Sequence, residues 1–111
     1  MAVDIFVRRV TAPGTLWILD DDGYIAGCPS LKEPDRWVFP VFSDRAYAQR
    51  GACWEDAHPP AAVSLSLFVE KILPEVIREG RLIGPNWDGN MAGAEVEPAT
   101  MRSLLDDAQT T

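Results

Sequence analysis

Apolar residues recur along this chain with two periods, and the switches between them mark out the elements. Val3, Phe6, Val7 and Val10 stand at i, i+3, i+4 and i+7, the one-sided stripe of an amphipathic helix. Asp4 lies near its start, and Pro13 with Gly14 ends it. The runs LWIL (16–19) and YIAG (24–27) are extended in pattern, and the DDDG between them (20–23) predicts a hairpin turn. Residues 28–36, CPSLKEPDR, hold two prolines and four charges and read as a loop. WVFPVF (37–42) is apolar throughout and predicts a strand, with Pro40 confined to an edge or bulge because it has no amide hydrogen. Trp17 and Trp37, each inside a strand pattern, are expected in the core.

The second half alternates in the same way. Ser43 reads as a helix N-cap with Asp44 in the first turn, where the helix dipole favours an acid, and a helix follows over about 44–52. EDAHPPAA (55–62) reads as a loop, after which Ser64 caps the longest helix. Its core-facing stripe is Leu65, Phe68, Val69, Ile72, Leu73, Val76 and Ile77. Pro74 removes one backbone hydrogen bond inside that stripe and is expected to kink the helix or split it in two. Gly80 stops it. Residues 81–84 form a short strand closed by Pro85, 85–93 are a turn-rich link, and 94–98 are a second extended piece. Pro98 suits the first position of a last helix whose apolar face is Met101, Leu104, Leu105 and Ala108. The order helix, three strands, two helices, two strands, helix predicts an α+β fold. It would be one domain, 1–111, with a single small mixed or antiparallel sheet of about four to five strands and helices packed mainly on one face.

Composition narrows the partners. With 111 residues, 47% of them hydrophobic and 24% charged, the chain has the makings of a folded domain. Its net charge of -7 and scattered basic residues argue against direct nucleic acid binding, which draws on Lys and Arg displacing counterions from phosphates. No run approaches the roughly 18 apolar residues of a membrane span, and Asp4, Arg8 and Arg9 interrupt the opening segment, so neither a membrane anchor nor a signal peptide is expected. Cys28 and Cys53 form no C-x-x-C pattern, and free thiols in a reducing cytoplasm are the plain expectation.

The chain is poor in chemistry. DDDG resembles half of a calcium loop, but the position six after Gly23 is Pro29 where that loop needs glutamate. Cys53, Glu55 and His58 hold the residue types of a nucleophile, an orienter and a base, yet they crowd one helix end and loop, whereas such partners normally arrive from separate elements. Phosphate-loop, dinucleotide, nucleophile-elbow and zinc-protease patterns are absent. No catalytic residue, cofactor or metal ligand is therefore expected, and Asn86, Asp88 and Asn90 lack a further acid at calcium-loop spacing. The densest stretch, GRLIGPNWDGN (80–90), reads as a structural turn in which Asn86 and Asp88 cap nearby amides. Its minority reading is a binding edge of Trp54, Asn86, Trp87 and Asp88, because loop tryptophans beside polar groups often anchor partners.

These residues resemble a small bacterial family, domain of unknown function 2750. The resemblance rests on Phe6 and Val10, on W-x-L-x-D-x-G at Trp17, Leu19, Asp21 and Gly23, and on Phe42, Ser43, Ala48 and Trp54. It continues with Leu73, Pro74 and Gly80, with G-x-N-W-D at Gly84, Asn86, Trp87 and Asp88, and with G-x-E-x-x-P at Gly93, Glu95 and Pro98. Pro85 departs from it where a residue able to pair in a strand is expected. In layout the chain is also similar to the N-terminal module of enhanced-serine-sensitivity proteins. Neither resemblance implies an activity. The functional expectation is a non-catalytic acidic module that binds a basic protein partner, as an immunity or inhibitor protein of a bacterial or phage conflict system would. The alternative is a small-molecule binder or unrecognised enzyme with a pocket near Trp87.

Overall fold

A computed structural model describes residues 3–21, 24–25, 28–30, 32–33, 35–51, 60–86 and 93–110. Helix α1 (Val3–Thr11) buries Phe6, Val7 and Val10, the stripe that its periodicity predicts. Gly14, at φ 71°, turns the chain out of it and into β1 (Thr15–Asp21). Strand β1 pairs antiparallel with β2 (Tyr24–Ile25), Asp21 opposite Tyr24, as the hairpin expectation requires; Asp22 and Gly23 lie outside the described residues. Along its other edge β1 pairs antiparallel with β5 (Pro60–Ser64). This strand corrects the last part of the expected loop, residues 60–62; residues 55–59 lie outside the described residues. Pro60 is its first residue and β5 is an edge strand, the two places where a sheet accepts a proline.

A second ladder holds β3 (Cys28–Pro29), β4 (Trp37–Val41) and β6 (Leu82–Pro85), with β3 antiparallel and β6 parallel to the central β4. The α+β class stands, but the one sheet expected is divided into these two three-stranded ladders. Among the described residues one antiparallel bridge joins them, Trp17 and Phe42 exchanging both backbone hydrogen bonds at 2.8 Å. Pro40 sits in the middle strand and still satisfies the rule that restricts it. Phe42 turns its N–H toward β1, so two residues earlier the Pro40 nitrogen faces the same edge. There it falls between the Val38–Cys28 and Phe42–Trp17 pairs, where no described residue needs its hydrogen. Pro85 does not stop β6 short either, since it pairs with Val41; in a strand's last position its missing donor costs little.

The segment 65–78 is one continuous helix made of α3 (Leu65–Leu67), a π-helical turn (Phe68–Ile72) and α4 (Leu73–Arg78). Ser64 caps it, its hydroxyl accepting from Leu67 N–H at 3.1 Å. Pro74 does not split the helix in two, since the backbone stays helical through it. It has no N–H for the Glu70 carbonyl, and the preceding turn widens so that Leu73 N–H reaches back five residues to Phe68. At the other end Gly80 (φ 71°) makes a Schellman stop, with Arg81 N–H on the Val76 carbonyl and Gly80 N–H on that of Ile77. Ile77, expected in the core stripe, is 43% exposed on its flank.

Helices α1, α5 (Pro98–Thr110) and the long helix cover one face, closing a core of Phe6, Leu16, Phe39, Phe68, Ile83, Met101 and Leu105. Helix α2 (Arg45–Gly51) packs with Ala48 against Leu19 and Phe42 in a second, smaller cluster with the half-buried Trp17. Ser43 is not its cap. Asp44 is, accepting from Tyr47 N–H at 3.0 Å, while Ser43 is buried and bonded elsewhere. Asp44→Ala should therefore cost about 1 kcal/mol by urea denaturation. Phe68→Ala, which empties a fully buried site, should cost about 3–5 kcal/mol.

Candidate functional site

Strand β6 ends at Pro85, and Asn86 then takes a left-handed backbone, φ 49°, that few residues other than glycine adopt without strain. Asparagine is among the exceptions because its short amide can bond locally. Here it bonds across the fold instead. Asn86 N–H donates to the Val41 carbonyl at 2.7 Å, Ser43 N–H donates to Asn86 Oδ1 at 2.7 Å, and Asn86 Nδ2 donates to Ser43 Oγ at 3.0 Å. The carboxamide thus closes a ring on the strand-to-helix step, which explains why Ser43 can be 92% buried without losing its hydrogen bonds. Asn86 does cap an amide, and the amide lies 43 residues away in sequence.

The chain after 92 is pinned in the same manner. Val96 and Ile83 exchange both backbone hydrogen bonds at 2.8 Å. On one side of this bridge Glu95 accepts from the hydroxyl of buried Ser30, which itself accepts from the amides of Lys32 and Glu33 at 3.1 and 2.9 Å. On the other side Glu97 receives the Arg36 guanidinium through both oxygens. Arg36 also donates to the Gly80 carbonyl at 2.8 Å, to the Arg81 carbonyl at 3.4 Å and to Glu33 at 3.3 Å. One planar cation therefore ties the 28–36 segment to the end of the long helix and to the start of α5. Its proximity holds the Glu97 carboxyl below the usual range, chiefly through the hydrogen bond, and Glu97 in turn raises the Arg36 pKa. Sequence reasoning missed both Ser30 and Arg36. Neither belongs to a motif, and their partners lie 65 and 61 residues away.

Of the expected binding edge, only Asn86 falls among the described residues; Trp54, Trp87 and Asp88 do not, nor do Cys53, Glu55 and His58. Among the described residues no three His, Cys, Asp or Glu side chains gather to hold a metal ion, and no helix is long and apolar enough to cross a membrane. Two surface features do stand out. Trp37 is not in the core but 51% exposed, because it is the first residue of β4, paired with Pro29 at the sheet margin. The second is a cleft of about 270 Å³ between the long helix and the sheet, floored by Phe39, Ile72 and Val76 and rimmed by Lys71, Glu75, Glu79 and Arg81.

Comparison with known proteins matches the family model DUF2750, described as a protein of unknown function, over residues 3–105, and the chain belongs to that family. No curated protein and no solved structure matches it. The motif residues through which it resembles that family include Asn86 and Glu95, and the fold uses both as pins.

Asn86→Ala should destabilise the protein by about 1–3 kcal/mol in chemical denaturation, since it removes both partners of buried Ser43 and leaves a strained φ. Asn86→Asp, which keeps the acceptor, should cost less. Glu97 sets an acid limit. Its carboxylate has a lowered folded pKa, so its stabilisation is full above the ordinary glutamate range and is lost as pH falls through the folded value. Denaturant midpoints followed downward from about pH 5 should fall less steeply in Glu97→Gln than in the parent.

Proposed function

We propose that this protein is a non-catalytic acidic module that docks a basic protein partner, and that its biological setting is that of an immunity or inhibitor protein in a bacterial or phage conflict system. The exposure of Trp37 carries the reading. A half-exposed indole on a well-held strand is the kind of side chain that supplies most of the energy of an interface, because it brings large area at little entropy cost. Trp37 stands between Val38, fully buried, and Arg36, whose guanidinium is locked by the Glu97, Glu33 and backbone contacts. The anchor is therefore presented in a fixed place and costs little to order on binding.

Charge supports the same reading. Four arginines, Arg8, Arg36, Arg78 and Arg81, are tied up in internal ion pairs with Asp4, Glu33, Glu97, Glu75 and Glu79. The net charge of -7 draws a basic protein inward and speeds its association at low salt. Intracellular action in the cytoplasm fits the same reading, as a partner inhibited before it does harm must be met there.

The test compares the parent with Trp37→Ala as immobilised bait in native lysate, followed by affinity measurement on the retained protein across a salt series. A basic partner is expected, held more weakly as salt rises. Its affinity should fall about thirtyfold or more in Trp37→Ala, with the melting temperature unchanged. Equal retention by both baits, with no salt dependence, overturns the reading.

A further inference from the structure

The cleft at the π-helical turn has a composition of its own. Its floor, Phe39, Ile72 and Val76, is apolar and comes from β4 and the long helix. Its rim carries four charged side chains, two of each sign. Glu75 is paired with Arg78, and Glu79 with Arg81 at 2.8 Å. Lys71 has no carboxylate partner among the described residues, and it stands on the widened turn that precedes Pro74. The two pairs neutralise themselves, so an apolar slot is left with one ammonium at its lip.

From this arrangement we infer that the cleft binds a small apolar monocarboxylate, an aliphatic or aromatic acid whose hydrocarbon part lies on Phe39, Ile72 and Val76 and whose carboxylate meets Lys71. Size sets the class. At about 270 Å³ the space lies just under the roughly 300–1,000 Å³ of sites for drug-sized ligands, which suits a short chain or one ring. Charge sets the head group. One unmatched cation pairs with one negative charge through a charge-assisted hydrogen bond. A phosphate dianion would bring a second charge with no cation left to meet it, and an apolar cation is disfavoured by Lys71 itself. This site is separate from the docking reading, since Trp37 is not among its lining residues.

The experiment is a two-dimensional amide NMR titration of the full chain with isocaproate, and in parallel with isohexanol, which has the same skeleton without the charge. Saturable shifts are expected at the amides of Lys71, Ile72 and Val76 with isocaproate. Lys71→Gln, an exposed change that leaves the fold intact by circular dichroism, should weaken isocaproate about tenfold and leave isohexanol unchanged. Glu75→Gln should not weaken it. The inference is overturned if those amides do not shift saturably, if acid and alcohol bind alike, or if Lys71→Gln binds isocaproate as the parent does.

Discussion

Two backbone hydrogen bonds between Trp17 and Phe42 hold the two halves of the sheet together. On one side of them lies a ladder built mainly from the β1–β5 pairing, and on the other a ladder built on the parallel β4–β6 pairing. A single bridge is a weak joint unless its flanks are fixed, and each flank is. Before Phe42, the Val41 carbonyl accepts from Asn86 N–H; after it, Ser43 receives the Asn86 carboxamide at both its amide and its hydroxyl. Phe42 itself is fully buried against Leu19 and Ala48. Three consecutive residues thus have their polar groups committed to two different elements, which removes the freedom that would let the ladders slide.

The same principle organises the rest of the polar structure. Buried or half-buried hydrogen-bonding groups are satisfied by side chains from far along the chain, and each such contact fixes one segment against a distant one. Ser30 with Glu95 and Arg36 with Glu97 hold the 28–36 segment against the stretch that leads into α5. The motif residues Asn86 and Glu95 take these roles, so a functional reading of them as ligand contacts has to compete with what they already do in the fold. Exposed features outside the motifs, Trp37 and the Lys71 cleft, are less encumbered and carry the functional proposals for that reason.

Pro74 illustrates how a local constraint becomes a surface. The missing amide hydrogen and the ring's demand for room are met by one wide turn, and the helix continues through it. That turn carries Lys71 and Ile72, which with Val76 of α4 and Phe39 of β4 line the cleft.

Periodicity together with local cap and turn residues determined α1, α5, the extent of the long helix, the β1–β2 hairpin and the glycine stop at Gly80, because each depends on contacts within a few residues. The α+β class and the apolar face of Met101, Leu104, Leu105 and Ala108 were legible for the same cause. Strand β5 was not, since Pro60, Ala61 and Ala62 have a loop composition and become a strand only by pairing with β1. The exposure of Trp37 was equally hidden: an aromatic residue at the end of a strand is buried or bare according to what lies over it. Of the candidate binding edge, the sequence pointed to Asn86 as a capping residue, but the amide it caps could not be named from spacing. The Ser43–Asn86 ring and the Arg36–Glu97 clasp join residues 43 and 61 positions apart, and the ring, by holding Ser43, leaves the helix cap to Asp44. Only the tertiary structure decides them, because a hydrogen bond between distant segments needs both ends placed by the packing of everything between.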